Sequence, residues 1–578
     1  QLVDGFNAYG ANGFYLNFSD NSGTTASTLG DDDSVNTNDY TPNNFSVAAG
    51  AGNDSLEDTP TNNYATINPL AGYETTFEVP ANGNLDFNLG STDQFALSSF
   101  LIPPSGKWYA ELVYSAIATG RFGITNPKTK NDTKWNGVEY YIGGIITVDD
   151  STVQSSLTAV SNGDIVGIKV DRDAGTIAFT IGGSASGSAV NLSALSDSSE
   201  LVFAASRNSS SGSAPAGSFN FGQRAFSHLP ADYKALCTAN LPEPTIKKPS
   251  DHFNTKVYAP DGSASFAVTE VGFQPNLVWL KSREYDEDHQ LNDSVRGATK
   301  GLQSNQPSPE TTQSNGLISF DTDGFTVGNL SDYNYNGDSL VSWNWKGGST
   351  VTNDTGSIDS QVNANTSAGF SIVSYTGTGS DATIGHGLGA VPDVIIVKCR
   401  SHTANWGVFH KSLGASYIVQ LNLSNAQWQN SGVFNDVLPT STVFSVDGGS
   451  GMSGEAKTYI AYCFSSVEGY SKFGSYTGNG DADGTFIYTG FKPMHIIYKK
   501  VAAENWHMLD TKRDASNPNS AGIDPNLCNK EASDANLQMD FLSNGFKLRA
   551  SHGTANASGE PYIYMAFAES PFKYATAR

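Results

Sequence analysis

Short apolar or alternating runs, separated by turn-forming clusters, fill this chain from end to end. In SLVSWNWK (339–346), TYIAYCFS (458–465) and PYIYMAFA (561–568) large residues fall on every second position, the period of a strand. Between such runs lie clusters like Thr-Gly-Asn-Gly-Asp (477–481) and Asn-Tyr-Asn-Gly-Asp (334–338), whose residues tolerate the backbone angles of tight turns. No long segment places apolar residues at i, i+3, i+4 and i+7, so helix is expected to be minor, with one turn near 228–238. Evenly spaced short strands of this kind predict an all-β, multi-domain chain of β-sandwich or jelly-roll type.

The second half repeats itself. Phe253 to Tyr258, Phe370 to Tyr375 and Tyr470 to Tyr476 open three copies. A Gly-x-x-Pro turn then feeds a strand: GFQPNLVWLKSR (272–283), GAVPDVIIVKCR (389–400) and GFKPMHIIYKKV (490–501). DSVRG (293–297), HKSLG (410–414) and DTKRD (510–514) follow, then short strands beginning at Phe325, Phe444 and Phe546, then the three closing runs quoted above. The repeated Pro275, Pro392 and Pro493 lie roughly 100–120 residues apart, the size of a domain rather than a propeller blade. Each closing strand has one large face (Val341, Trp343 and Trp345; Ile460, Tyr462 and Phe464; Ile563, Met565 and Phe567) and one mostly small face. The expected limits are 1–245 for the N-terminal part, 246–350 for repeat 1, 351–467 for a linker and repeat 2, and 468–578 for repeat 3.

Before the repeats, SGKWYAELVY (105–114) reads as a strand and GDIVGIKVDRDAGTIAFTIGG (163–183) as a hairpin, followed by LVFAAS (201–206) and SFNFGQRAF (218–226). The order Trp108 to Glu111, Gly163 to Phe179 and Asn220 to Gly222 resembles the SPRY domain, a bent two-sheet sandwich, over about residues 70–228. That resemblance implies a binding module without catalysis. The segment 13–70, together with DHFNTKVY (251–258), VSWNWKGG (341–348), FSIVSYTGTG (370–379), SVEGYSKFGSYTGNG (466–480) and YIYMAFAESPF (562–572), resembles tail-fibre-like proteins of marine bacteriophages, cyanophages included. It implies a virion-surface, extracellular protein that assembles with itself, as a trimer by fibre precedent, and with other virion proteins. It also implies binding of a host-surface glycan or receptor.

Composition narrows the partners. The net charge of −24 argues against a phosphate backbone or an anionic bilayer, both of which need a basic face. Aromatic residues at 11% distinguish the chain from a disordered acidic tail. No apolar run approaches the ~20 residues of a membrane helix. Four cysteines lie far apart without a Cys-x-x-Cys, against a zinc site or a disulfide framework. The sequence opens on Gln1, which suits either a processed product or a fragment.

Candidate chemistry is sparse. There is no nucleophile elbow, zincin helix, phosphate loop or dinucleotide fingerprint. Tyr333 and Tyr335, in SDYNYNGD, are candidate sugar-binding rings beside Asn and Asp. Trp406 and Trp506 hold matched positions in two repeats, which favours a core role over a ligand. Asp321-Thr-Asp323-Gly and Asp481-Ala-Asp483-Gly place oxygens two apart before a glycine, as calcium loops do, though neither has the later Glu of a full loop. Lys281, Lys398 and Lys499 recur six residues after the proline and are expected at solvated strand ends or paired with an acid. Asp293 with Arg296 and Asp510 with Arg513 read as structural pairs within a turn, because repeat 2 has His410 and Leu413 there. No catalytic residue and no required cofactor is expected. With no catalytic motif among the residues, the resemblance to tail-fibre-like proteins implies a non-catalytic adhesion protein. The alternatives are a capsid decoration or sheath protein and, third, a polysaccharide depolymerase built on two carboxylates.

Overall fold

The computed structural model describes residues 10–47, 62–71, 80–90, 94–117, 119–128, 136–207, 213–429, 431–448 and 452–575. Within the N-terminal segment 13–70, residues 48–61 lie outside these. The chain is all-β. Among the described residues its α-helices are the single turns Ser331–Asn334, Ser431–Phe434 and Gly553–Asn556, and no helix is long and apolar enough to cross a membrane. It divides into two units, Gln1–Pro242 and Glu243–Arg578.

In the first unit two antiparallel sheets face one another. One runs Asp86–Asn88, Ala216–Asn220, Lys107–Ala116, Ile165–Asp171, Thr176–Ile181 and Ser184–Ala185. The other runs Phe95–Leu97, Val202–Arg207, Gly120–Thr125, Gly137–Tyr141, Ile145–Val148 and Ser151–Gln154. Phe122 and Tyr140 of the second sheet meet Phe179 of the first at centroid distances of 5.7 and 5.4 Å, edge to face. The expected hairpin forms in register from Asp171↔Thr176 to Val166↔Ile181. No helix forms near 228–238; the segment makes bends and a tight turn and ends in the short strand Lys234–Ala235, paired parallel to Lys107–Ala116. Glu111 fixes its start by accepting the amides of Ser227 (3.0 Å) and His228 (2.7 Å).

The second unit contains all three repeats, built alike. In repeat 1 a four-stranded sheet has the order Phe253–Tyr258, Leu340–Trp345, Leu277–Ser282, Gln290–Asp293, so the closing strand sits inside. Repeat 3 matches it with Ser471–Thr477, Pro561–Pro571, Phe491–Lys500 and Trp506–Asp510. Repeat 2 has the same four (Phe370–Thr376, Thr458–Phe464, Val394–Cys399, Gly407–His410) and adds two strands at each edge. Pro275 and Pro392 precede their strands, as a residue without a donor should. Pro493 lies inside its strand, at a register shift that excuses the missing hydrogen bond.

The large faces of the three closing strands do not cover three separate cores. Val341, Trp343, Trp345, Ile460, Tyr462, Phe464, Ile563, Met565 and Phe567 belong to one buried cluster, joined by Trp279, Trp406 and Trp506. The opposite faces each pack under a small second sheet of their own repeat: Phe325 and Val327 in repeat 1, Phe444 and Val446 in repeat 2, Phe546 and Leu548 in repeat 3. The limits 246–350, 351–467 and 468–578 therefore follow a sequence repeat, while packing joins the three into one body. A sheet buried on both faces cannot lose its neighbours without exposing large aromatic area.

The ring nitrogens of His289, Trp406 and Trp506 pass around this body in one direction, while other bonds between repeats run both ways. At the start of the edge strands Gln290–Asp293, Gly407–His410 and Trp506–Asp510, the matched residues His289, Trp406 and Trp506 each place a ring nitrogen on a carbonyl of the next repeat: Asp524 O (3.1 Å), Gln303 O (2.9 Å) and Gln420 O (2.9 Å). At the other end of those strands, Tyr462 Oη donates to Asp293 Oδ2 (2.8 Å) and Trp343 Nε1 to Asp510 Oδ2 (3.1 Å). Repeat 3 has Met565 in place of the aromatic donor, and it faces the repeat in which His410 and Leu413 replace Asp and Arg. There His410 Nε2 lies 3.3 Å from Tyr564 O instead.

Candidate functional site

Most of the chemistry-bearing side chains are consumed by this frame. Arg296 and Arg513 are buried against Asp293 and Asp510, so the two pairs are inter-repeat braces as well as turn pairs. Glu310 accepts Arg400 of the neighbouring repeat (2.8 and 3.1 Å), and Glu531 accepts Arg283 (2.9 and 2.7 Å). His410 is held neutral, its pKa pushed down to about 4 by burial; its Nδ1 accepts the Ser412 amide, which leaves Nε2 to donate. All four cysteines are free thiols.

The lysines differ from expectation. Lys281, Lys398 and Lys499 are fully buried, and among the described residues none has a carboxylate within ion-pair distance. Their Nζ atoms bond main-chain carbonyls instead: Ser282 and Tyr285 for Lys281, Pro307 and Cys399 for Lys398, Lys500, Ala502 and Glu504 for Lys499. The lysine-bearing strands Leu277–Ser282, Val394–Cys399 and Phe491–Lys500 are covered on both faces, so their ends are not solvated. Burial lowers each pKa to about 8.

The four candidate calcium ligands are likewise engaged by the chain. Asp321 accepts Ser319 Oγ (2.8 Å) and Thr326 Oγ1 (2.6 Å); Asp323 accepts the amides of Glu270 (3.2 Å) and Gly272 (2.7 Å). Asp481 accepts the Asp483 amide (2.9 Å), while Asp483 pairs with Lys547 (3.0 Å) and Arg549 (3.3 Å). Among the described residues no three His, Cys, Asp or Glu side chains converge where a metal ion could sit.

The two candidate tyrosines separate. Tyr333 is fully buried, with its hydroxyl within bonding distance of Gln290 (3.2 Å), Asn292 (2.9 Å) and Gln313 (2.6 Å); it anchors the repeat 1 core and offers no face to a sugar. Tyr335 is 50% exposed and meets Tyr285, 43% exposed, at a centroid distance of 5.2 Å and an interplanar angle of 79°. Tyr285 comes from the loop 283–289 after the strand Leu277–Ser282, which sequence reasoning passed over. The only signal there was an aromatic residue inside the acidic run Glu284-Tyr-Asp-Glu-Asp288.

Short bonds hold both loops. Tyr285 N donates to Ser282 Oγ (2.9 Å), Lys281 Nζ reaches Tyr285 O (3.0 Å), and Asp286 accepts the Lys530 amide (2.9 Å). Asp338 N donates to Tyr335 O (3.1 Å). Asp338 lies between the loops, 5% exposed, with Oδ2 lacking a hydrogen-bond partner; burial raises its pKa against the opposing pull of Ser282 and Lys281. Glu287 is raised to about 6, first by burial and then by Asp332 beside it. The corner is thus an exposed pair of aromatic rings beside crowded carboxyls.

The first unit holds a buried ion pair of its own. Arg121 meets Glu139 at 3.0 Å, and Thr147 donates to the other Glu139 oxygen at 2.5 Å; burial raises Glu139 to about 7 although Arg121 opposes it.

The fold thus defines an all-β chain in which a two-sheet sandwich precedes a three-repeat body with a shared core. A family described as a domain of unknown function (DUF7483) matches residues 248–571, and the chain belongs to it. The match spans all three repeats, so the family's unit is the triplet that shares the core. No curated protein matches the sequence. Among solved structures the chain is similar to the SPRY domain of human HERC1, at 17% identity over 26% of this chain and 96% of that one, TM-score 0.23. It is also similar to the stonustoxin structure (12% identity, 27% and 28% covered, TM-score 0.21) and to the TRIM65 PSpry domain (10% identity, 27% and 92% covered, TM-score 0.20).

Proposed function

We propose that this chain is a non-catalytic adhesion protein of a virion surface, whose three-repeat body presents the Tyr285–Tyr335 corner to a host-surface glycan or receptor. The observation that carries the reading is the corner itself: two rings left half-exposed in a body whose other large aromatic residues are mostly buried. Stacking platforms for sugar faces are built this way. The phrases shared with tail-fibre-like proteins support the virion setting. Assembly with further copies would multiply weak single contacts. Residues 10–47 supply a surface for such assembly, since Phe14, Phe18, Tyr40 and Phe45 are each exposed by 44–55%. That apolar surface also favours the second reading, a decoration or sheath protein whose main partner is the virion.

Glycan-array and whole-cell binding of the full chain, with and without chelator, tests the proposal beside a reducing-sugar release assay. Saturable binding without released sugar, lost on Tyr335→Ala and unchanged by chelator, is expected. Binding that survives Tyr335→Ala moves the site elsewhere, and released sugar overturns the non-catalytic reading.

A further inference from the structure

The three repeats provide an internal comparison at the aromatic corner. Four residues after the repeated lysine, repeat 1 has Tyr285 where repeats 2 and 3 have His402 and Ala503. Eight residues before the matched Trp343, Tyr462 and Met565 of the closing strands, repeat 1 has Tyr335 where the others have Gly454 and Ala557 on the same turn. The turn is otherwise alike in repeats 1 and 3: Asn334 and Asn556 cap equivalent amides, those of Asp261 (3.0 Å) and Asn479 (2.8 Å). The lysine recurs in all three copies and the turn keeps a capping Asn or Ser (Asn334, Ser453, Asn556), whereas the two rings occur in repeat 1 alone.

Charge around the rings is one-sided. Glu284 and Asp286 flank Tyr285, and Glu287 lies against Asp332 below. Among the described residues no lysine or arginine lies within ion-pair distance of any of these four, since Arg283 is taken by Glu531. Lys281, buried and turned onto carbonyls, offsets part of the Asp338 charge, and Lys530 borders the corner through its amide on Asp286. Asp338 keeps an oxygen without a hydrogen-bond partner there. A neutral sugar would leave this excess in place. A metal ion would need converging carboxylates, which the described residues do not provide. Two tyrosine faces at right angles beside carboxylates match an organic cation, which the ring quadrupoles and the surrounding charge attract together.

We infer that the Tyr285–Tyr335 corner of repeat 1 takes an organic ammonium group, carried by an amino sugar of the host-surface glycan. The inference rests on the adhesion reading and names the ligand class for it. Glu287 and Asp332 agree with it, since two crowded carboxyls gain most from a cation placed near them.

Titration calorimetry of the full chain with the glucosamine trisaccharide, its N-acetylated counterpart and tetramethylammonium tests this. The amine trisaccharide is expected to bind saturably and at least about tenfold more tightly than the neutral one, with affinity falling as salt rises. Tyr335→Ala and Tyr285→Ala should each weaken it about fivefold or more. Tyr335→Phe should stay within about twofold, because the ring face is kept. Glu284→Gln should weaken the amine and leave the neutral sugar unaffected. Thermal melts confirm that each variant is folded. Equal, Tyr335-dependent binding of both trisaccharides overturns the ammonium class and leaves the adhesion reading standing. Binding of neither, with cell binding unchanged by Tyr335→Ala, overturns both. Tetramethylammonium binding without any binding of the amine trisaccharide overturns the sugar source and points to a headgroup ammonium.

Discussion

Lys281, Lys398 and Lys499 end on main-chain carbonyls, and their pKa values near 8 follow from burial without a carboxylate partner. The usual value is 10.5, so between these two values the unfolded chain binds more protons than the folded one, and this term makes stability rise with pH. Against Lys499→Met, the wild type should gain melting temperature from pH 8 to pH 10.5; a constant difference over that range would show that the lysine titrates normally. Tyr333 and Tyr335 show a second limit of single-residue reasoning. Two positions apart, they would share a face in an extended segment, and the sequence offered them as a pair. The helical turn Ser331–Asn334 rotates the chain by about 100° per residue and sends the two rings opposite ways, one into the core and one outward. Nothing in SDYNYNGD announces a turn that short, and the true partner, Tyr285, is 50 residues away along the chain.

At the scale of elements, the closing strand was legible in full. Its alternation assigned the large faces correctly in all three copies, and the order of strands followed the repeat. What the pattern could not say is whose core those faces enter, because an apolar face reads the same under its own second sheet or against a neighbour. The polar braces between repeats were equally hidden: Asp293 and Arg296 are three residues apart, but Tyr462, which completes them, is in another repeat. Asp510 is held below the usual carboxylate value; burial alone would raise it, but Arg513 outweighs that. Its contribution is therefore present above about pH 4 and lost as pH falls further. Asp510→Ala would leave Arg513 buried without its main partner and Trp343 Nε1 without an acceptor. It should cost about 3–5 kcal/mol in denaturant unfolding, well beyond a surface change. A loss under 1 kcal/mol would mean that the braces hold nothing.

For the whole molecule, one core means one transition. Residues 243–578 should unfold in a single calorimetric step whose van't Hoff and calorimetric enthalpies agree, and Trp506→Ala in repeat 3 should lower hydrogen-exchange protection in repeats 1 and 2 as well. Three resolved steps would restore the independent domains that the period of the sequence suggested. The one-way hand-off of ring nitrogens and the lone interface without an Asp–Arg brace also limit how such a chain can be rearranged. Each copy fits only the successor it has, because a copy ending in Met565 has no donor for an aspartate and a copy ending in Tyr462 needs one. Gene fusion and exchange can therefore move the triplet only as an indivisible cassette. A lineage that lengthens such a protein would have to add residues in its loops or duplicate all three copies at once.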